Sequence, residues 1–173
     1  KEVSFRVKEQ ECFGFLGVNG AGKTTTFSML TGESEPVFGD AYLHKGKISL
    51  RLQTDVFQKM IGYCPQLDPL IDDLTGEETL AFFGRLRGVP EDRIADEVLN
   101  IVQMVGLDDH YKNIATEYSG GNKRKLATAM TLIGTPELIF LDEPSAGVDP
   151  AARRKIWKML GFIRKILKCS LVL

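Results

Sequence analysis

Eight consecutive residues, Gly17-Val18-Asn19-Gly20-Ala21-Gly22-Lys23-Thr24, follow the pattern GxxxxGK[ST], the spacing of a loop that grips phosphate. Gly17, Asn19, Gly20 and Ala21 would form the cradle. The backbone N–H groups of Gly22, Lys23, Thr24 and Thr25 would point at phosphate oxygens. Lys23 would carry a point charge to the β- and γ-phosphates, and the Thr24 hydroxyl would fill one position on magnesium. A second pair of groups, Asp142-Glu143, closes the apolar run Leu138-Ile139-Phe140-Leu141. There Asp142 would hold magnesium through water, and Glu143 would act as the base that polarises an attacking water. A chance glycine-rich turn or an acidic pair facing solvent would account for either feature alone. Together they describe hydrolysis of a nucleoside triphosphate.

Between these lies Tyr118-Ser119-Gly120-Gly121-Asn122-Lys123-Arg124-Lys125-Leu126. Ser119 reads as a helix N-cap, and the two glycines expose backbone N–H groups at a helix start, which makes a second anion site. This segment resembles the LSGGQ signature of ATP-binding cassette proteins. The resemblance extends in order along the chain, from residue 17 to residue 149. Tyr63-Cys64-Pro65-Gln66 is similar to the Q-loop, which implies that Gln66 reaches magnesium and the attacking water. Ser145-Ala146-Gly147-Val148-Asp149 is similar to the D-loop, in which Ser145 and Asp149 would lie at a dimer interface. One phosphate does not need two such sites from one chain. The economical arrangement is a head-to-tail dimer, in which Ser119, Gly120, Gly121 and Asn122 address the γ-phosphate held by the partner.

The local spelling resembles subfamily A of these proteins, the large lipid exporters, and within it the second of two cassettes. Tyr118 and Asn122 stand where Leu and Gln are commoner, and Asp149-Pro150-Ala151-Ala152-Arg153-Arg154 precedes Trp157. The resemblance implies ATP and Mg2+ as cofactors, a sister cassette in the same parent chain, and transmembrane domains that handle the lipid. It also implies a place at the cytoplasmic face of a membrane. A soluble cassette ATPase of DNA repair or translation shares every catalytic motif and is the alternative. A GTPase is disfavoured, because the only Asn-Lys pair, Asn122-Lys123, is followed by Arg124-Lys125 and makes no NKxD motif.

These residues need a scaffold. Residues 3–7 alternate like a half-buried strand, and residues 12–17 read as a strand entering the glycine loop. A helix is expected over residues 24–31, closed by Gly32, and short strands at Tyr42-Leu43 and at residues 61–64. From residue 76 to 105 the pattern is helical and broken at Pro90. One stripe carries Leu80, Phe83 and Leu86; the next carries Ile94, Val98, Ile101, Val102 and Val105. A third helix should start near Ser119 with Leu126, Met130 and Ile133 on one face. The run 138–141 reads as a central parallel strand buried on both faces. Pro150 should open a last helix with Ile156, Leu160, Ile163 and Leu167 inward. The expected class is α/β: a phosphate-loop, RecA-like, mainly parallel sheet with a partial antiparallel subdomain at the N-terminus. Residues 1–173 would form a single domain truncated at both ends, with a helical signature subdomain inserted over about residues 76–135.

With 173 residues, 43% hydrophobic, 26% charged and a net charge of −1, the chain can bury one core and carries no basic footprint for nucleic acid. The basic turn at residues 123–125 reads as the ordinary start of the signature helix, and the basic residues of 153–168 as a solvated face. Cys12, Cys64 and Cys169 are too far apart for a zinc site and read as small half-buried thiols; His44 and His110 read as surface or loop residues. A switch histidine would fall past Leu173, and no aromatic near the start suits adenine stacking. The fragment alone is expected to bind nucleotide weakly and to hydrolyse it poorly.

Overall fold

The computed structural model describes residues 2–18 and 20–173. Its frame is a four-stranded parallel sheet in the order β1 (Cys12–Phe13), β6 (Ser170–Val172), β5 (Leu138–Leu141), β4 (Ile61–Cys64). Cys64 faces Leu141, Phe140 faces Val172, and Phe13 also faces Val172 across the ladders. Beyond β1 the pairing continues with the Phe15 N–H on the Leu173 carbonyl at 2.6 Å. Because the strands run parallel, the segments that follow β1, β4 and β5 leave the same edge. That edge receives the glycine loop, Gln66 and Asp142-Glu143.

Both sheet faces are covered, which is why β5 has no polar residue. Ile139 and Leu141 pack into one core with α3 (Gly76–Leu86), α4 (Glu91–Val105), α5 (Gly120–Leu132) and α6 (Pro150–Leu167). Phe140 points the other way, into a smaller core with Phe27 of α1 (Lys23–Leu30), Phe57 of α2 (Thr54–Met60), Ile61 and Val172. Each fully buried aliphatic or aromatic side chain here contributes about 1.5–3 kcal/mol. Tyr42–Leu43 (β2) and Ile48–Ser49 (β3) pair antiparallel as a separate small sheet. Asp40 braces it by accepting from the Ala41 and Arg51 N–H groups and the Ser49 hydroxyl.

The helices begin where the sequence offers caps. Thr75 and Glu78 form a reciprocal capping box at α3, and Asp149 caps α6 by accepting from the N–H groups of Ala151 and Ala152. Pro150 fits the first position of α6 because its missing N–H has no intrahelical partner there. The stripe expected on α4 is buried throughout. On α3, Leu80 is buried, Phe83 is partly covered and Leu86 is exposed. On α6, Leu167 is only partly covered. Helix α5 is more enclosed than a single stripe would make it: every residue from Leu126 to Ile133 is buried.

Three expectations need correction. Residues 3–7 form no strand, because no neighbouring segment among the described residues accepts their ladder; Phe5 instead stacks on Phe13 at 5.1 Å. β1 spans only Cys12–Phe13 rather than residues 12–17. The thiols are not half-buried: Cys64 and Cys169 are enclosed, and Cys12 is exposed. The helix α2 and the strands β3 and β6 were not anticipated.

Candidate functional site

The glycine loop runs from the end of β1 into α1. Gly20 and Gly22 have φ of 79° and 91°, the left-handed region that glycine adopts without strain. Gly22 is also the N-cap of α1, with no side chain closing the helix end. No side chain therefore caps the first-turn N–H groups of Lys23, Thr24 and Thr25, the groups that could receive an anion. Asn19 lies outside the described residues. The Lys23 ammonium donates to the Gly17 carbonyl at 3.0 Å and to Val18 at 3.5 Å, and stands 3.7 Å from a Glu143 carboxylate oxygen.

The acidic pair meets this loop directly. The Thr24 hydroxyl donates to Asp142 Oδ2 at 2.7 Å, and Asp142 is buried at the end of β5. Glu143 is exposed one residue further on and accepts from Gln66 Nε2 at 3.1 Å. Its backbone φ of 49° is left-handed, which is uncommon for a residue with a Cβ. The structure thus gathers Lys23 and Thr24 from the start of α1, Gln66 from the segment after β4, and Asp142 and Glu143 from the segment after β5. A cavity of about 400 Å³ opens beside them, lined by Lys23, Asp142, Glu143, Ser145, Arg153 and Trp157 among others. The Thr24 hydroxyl, the Asp142 carboxylate and the Gln66 carboxamide are hard oxygen donors, the ligand chemistry magnesium prefers.

Neighbouring groups respond to their surroundings. Burial pushes the Tyr63 hydroxyl up to about 12, with the Asp142 charge adding to it. Burial likewise pushes the Cys64 thiol up to about 11. Asp149 is held below the usual carboxylate range by the N–H groups of Ala152 and Ala151 that it caps.

Among the described residues, Ser119, Gly120, Gly121 and Asn122 make no hydrogen bond to this cluster. They form the start of α5, where the Ser119 hydroxyl accepts from the Asn122 N–H at 3.3 Å. Ser119 and Gly120 face solvent. Tyr118, just before them, is buried and donates to the His110 carbonyl at 2.7 Å. A Cβ on Gly76 would collide with that hydroxyl.

Arg124 is the residue that sequence reasoning misplaced. Read as part of an ordinary basic turn, it is instead 3% exposed. Its guanidinium donates to the carbonyls of Pro65 (2.8 Å), Asp142 (3.1 Å), Pro144 (3.0 Å) and Gln66 (3.4 Å), and to Asp68 Oδ1 (2.8 Å). The signal was its helical spacing with the buried Thr128 and Thr131, which sets it on the enclosed face of α5.

The chain is similar to several known proteins. The profile of the ABC transporter family matches residues 1–146. The phospholipid-transporting ATPase ABCA3 of Homo sapiens is 48% identical over 172 residues, covering 98% of this chain and 10% of that protein. The retinal-specific phospholipid-transporting ATPase ABCA4 of Bos taurus is 52% identical over 160 residues, covering 92% of this chain and 7% of that protein. The chain therefore spans a tenth or less of these two relatives. Among solved structures, cbiO1 from Clostridium perfringens, part of an ABC transporter complex, superposes with a TM-score of 0.84 at 27% identity. The match covers 99% of this chain and 69% of that one.

Proposed function

This chain belongs to the ABC transporter family, and from that premise we propose that it binds ATP with magnesium and hydrolyses it to drive export or flipping of a lipid. The observation that carries the chemistry is the position of Glu143, held between the Gln66 amide at 3.1 Å and the Lys23 ammonium at 3.7 Å. Glu143 takes the proton of the attacking water, and Gln66 orients that water and the carboxylate together. Lys23 gives up its own loop carbonyls and turns to the β- and γ-phosphates. The N–H groups of Gly22, Lys23, Thr24 and Thr25 close around the phosphates. Thr24, Asp142 and Gln66 would hold magnesium, which when bound neutralises charge on the phosphates. The chain forms no covalent intermediate; its contribution is position and charge.

Residues 1–173 serve as one nucleotide-binding domain, with the helical part over about residues 76–135 presenting Ser119–Asn122 to a second cassette. Ser145 and Asp149 lie along that junction. The relatives' names support lipid as cargo. No helix among the described residues is long and apolar enough to cross a membrane; in this reading the lipid is handled by transmembrane domains of the parent protein. The domain would then sit at the cytoplasmic face.

Replacing Glu143 with Gln in the full-length protein should preserve ATP binding and lower turnover on the order of 10²–10⁴-fold. Steady-state phosphate release and equilibrium ATP binding check this. Turnover close to that of the unaltered protein would remove Glu143 as the base.

A further inference from the structure

We propose that Arg124 is a positioning residue for this hydrolysis: it locks the Gln66 loop to the Glu143 turn, and ties both to the helix that presents Ser119–Asn122. The proposal rests on the ATPase reading given above. The loops after β4 and β5 leave the sheet where ladder pairing stops, so their carbonyls need other donors. A guanidinium offers five N–H groups in a fixed planar fork, and one side chain can bridge both loops at once. Arg124 does so from within α5. It takes Pro65, Gln66 and Asp68 on one side and Asp142 and Pro144 on the other.

The bonds bracket the reacting groups. Asp142 and Pro144, whose carbonyls Arg124 holds, are the residues on either side of Glu143. Pro65 and Gln66 hold the amide that touches the Glu143 carboxylate. Glu143 needs such restraint, because its φ of 49° is unfavourable for a residue with a side chain and persists only where surroundings impose it. A link of this kind also runs between sites. Arg124 lies in the second turn of α5, whose N-cap is Ser119, and its own carbonyl accepts the Thr128 hydroxyl at 2.8 Å. A shift of the Gln66 loop when nucleotide arrives would therefore pull on the helix that addresses the partner's nucleotide.

The test uses the full-length protein with Arg124→Lys, Asp68→Ala, the double variant, and Glu143→Gln as control. Lysine keeps the charge and most of the bulk but cannot bridge two loops. For Arg124→Lys, kcat should fall about tenfold or more while KM for ATP stays within about twofold. Asp68→Ala should give a smaller fall in kcat with KM unchanged. The double variant should be no worse than Arg124→Lys, since the two residues share one bond. Unchanged kcat in Arg124→Lys would overturn the proposal, and so would strictly additive losses. If Arg124→Lys does not fold, Asp68→Ala decides alone, and an unchanged kcat there overturns it. A Glu143→Gln protein that still turns over ATP would instead remove the reading on which the proposal rests.

Discussion

Glu143 and Asp142 are neighbours in sequence with opposite surroundings. The first is exposed on a left-handed backbone; the second is buried and bonded to Thr24. In the function proposed above, that contrast separates a group that handles protons from one that would hold a cation. The cysteines show the same dependence on position. Cys64 ends β4 under α5, and burial pushes its thiol up to about 11, so at pH 8 it stays protonated and its thiolate fraction grows only as pH approaches that value. Cys169, next to β6, is also raised by burial, while Cys12 is exposed. An alkylating maleimide at pH 8 should modify Cys12 and leave Cys64 and Cys169 untouched until denaturant is added, as peptide mass spectrometry would show. Modification of Cys64 at the rate of Cys12 would mean that α5 does not cover it. The glycine loop was legible in sequence because such a loop is built from contiguous backbone, and its spelling is local. Arg124 was not, because its partners come from residues 65–68, 142 and 144, brought together only by the sheet.

At the scale of elements, sheet and helix approach closely at Gly62. A Cβ built there would overlap the Thr131 carbonyl oxygen of α5, with Pro136 also in contact at 3.3 Å. Gly62→Ala should destabilise the fold by about 1–3 kcal/mol through overpacking, read as a lower urea midpoint with an unchanged slope. An unchanged midpoint would show that α5 can retreat without cost. Periodicity revealed α3, α4 and α6 because each has an apolar face and a solvated one. It understated α5, which is enclosed nearly all round and so carries little amphipathic signal. Residues 3–7 show the converse failure. Their alternation suits a strand, but a strand also needs a neighbour, and neighbours are not written locally.

For the whole molecule, the residues expected to address nucleotide fall into two separate groups. The cluster around Lys23 brings together Thr24, Gln66, Asp142 and Glu143, yet Ser119 and Gly120 face solvent and do not join it. Two copies or two sister cassettes placed head to tail would complete two sites. Ser119→Arg should leave ATP binding intact. It should cost about 1 kcal/mol at most from the lost cap, and block the ATP-dependent association of cassettes. Crosslinking across the junction in the full-length protein checks this, and a variant that still associates with ATP would sink the two-chain site. The parallel sheet was legible, since alternating strands and helices allow little else. The strand order was not: β1 (Cys12–Phe13) rests on β6 (Ser170–Val172), far from it in sequence. Synthesis runs from the N-terminus, so the segment that launches the glycine loop leaves the ribosome well before residues 170–172 exist to pair with it. Whatever order the helices pack in, the grip on nucleotide is the part of this sheet that cannot be finished early.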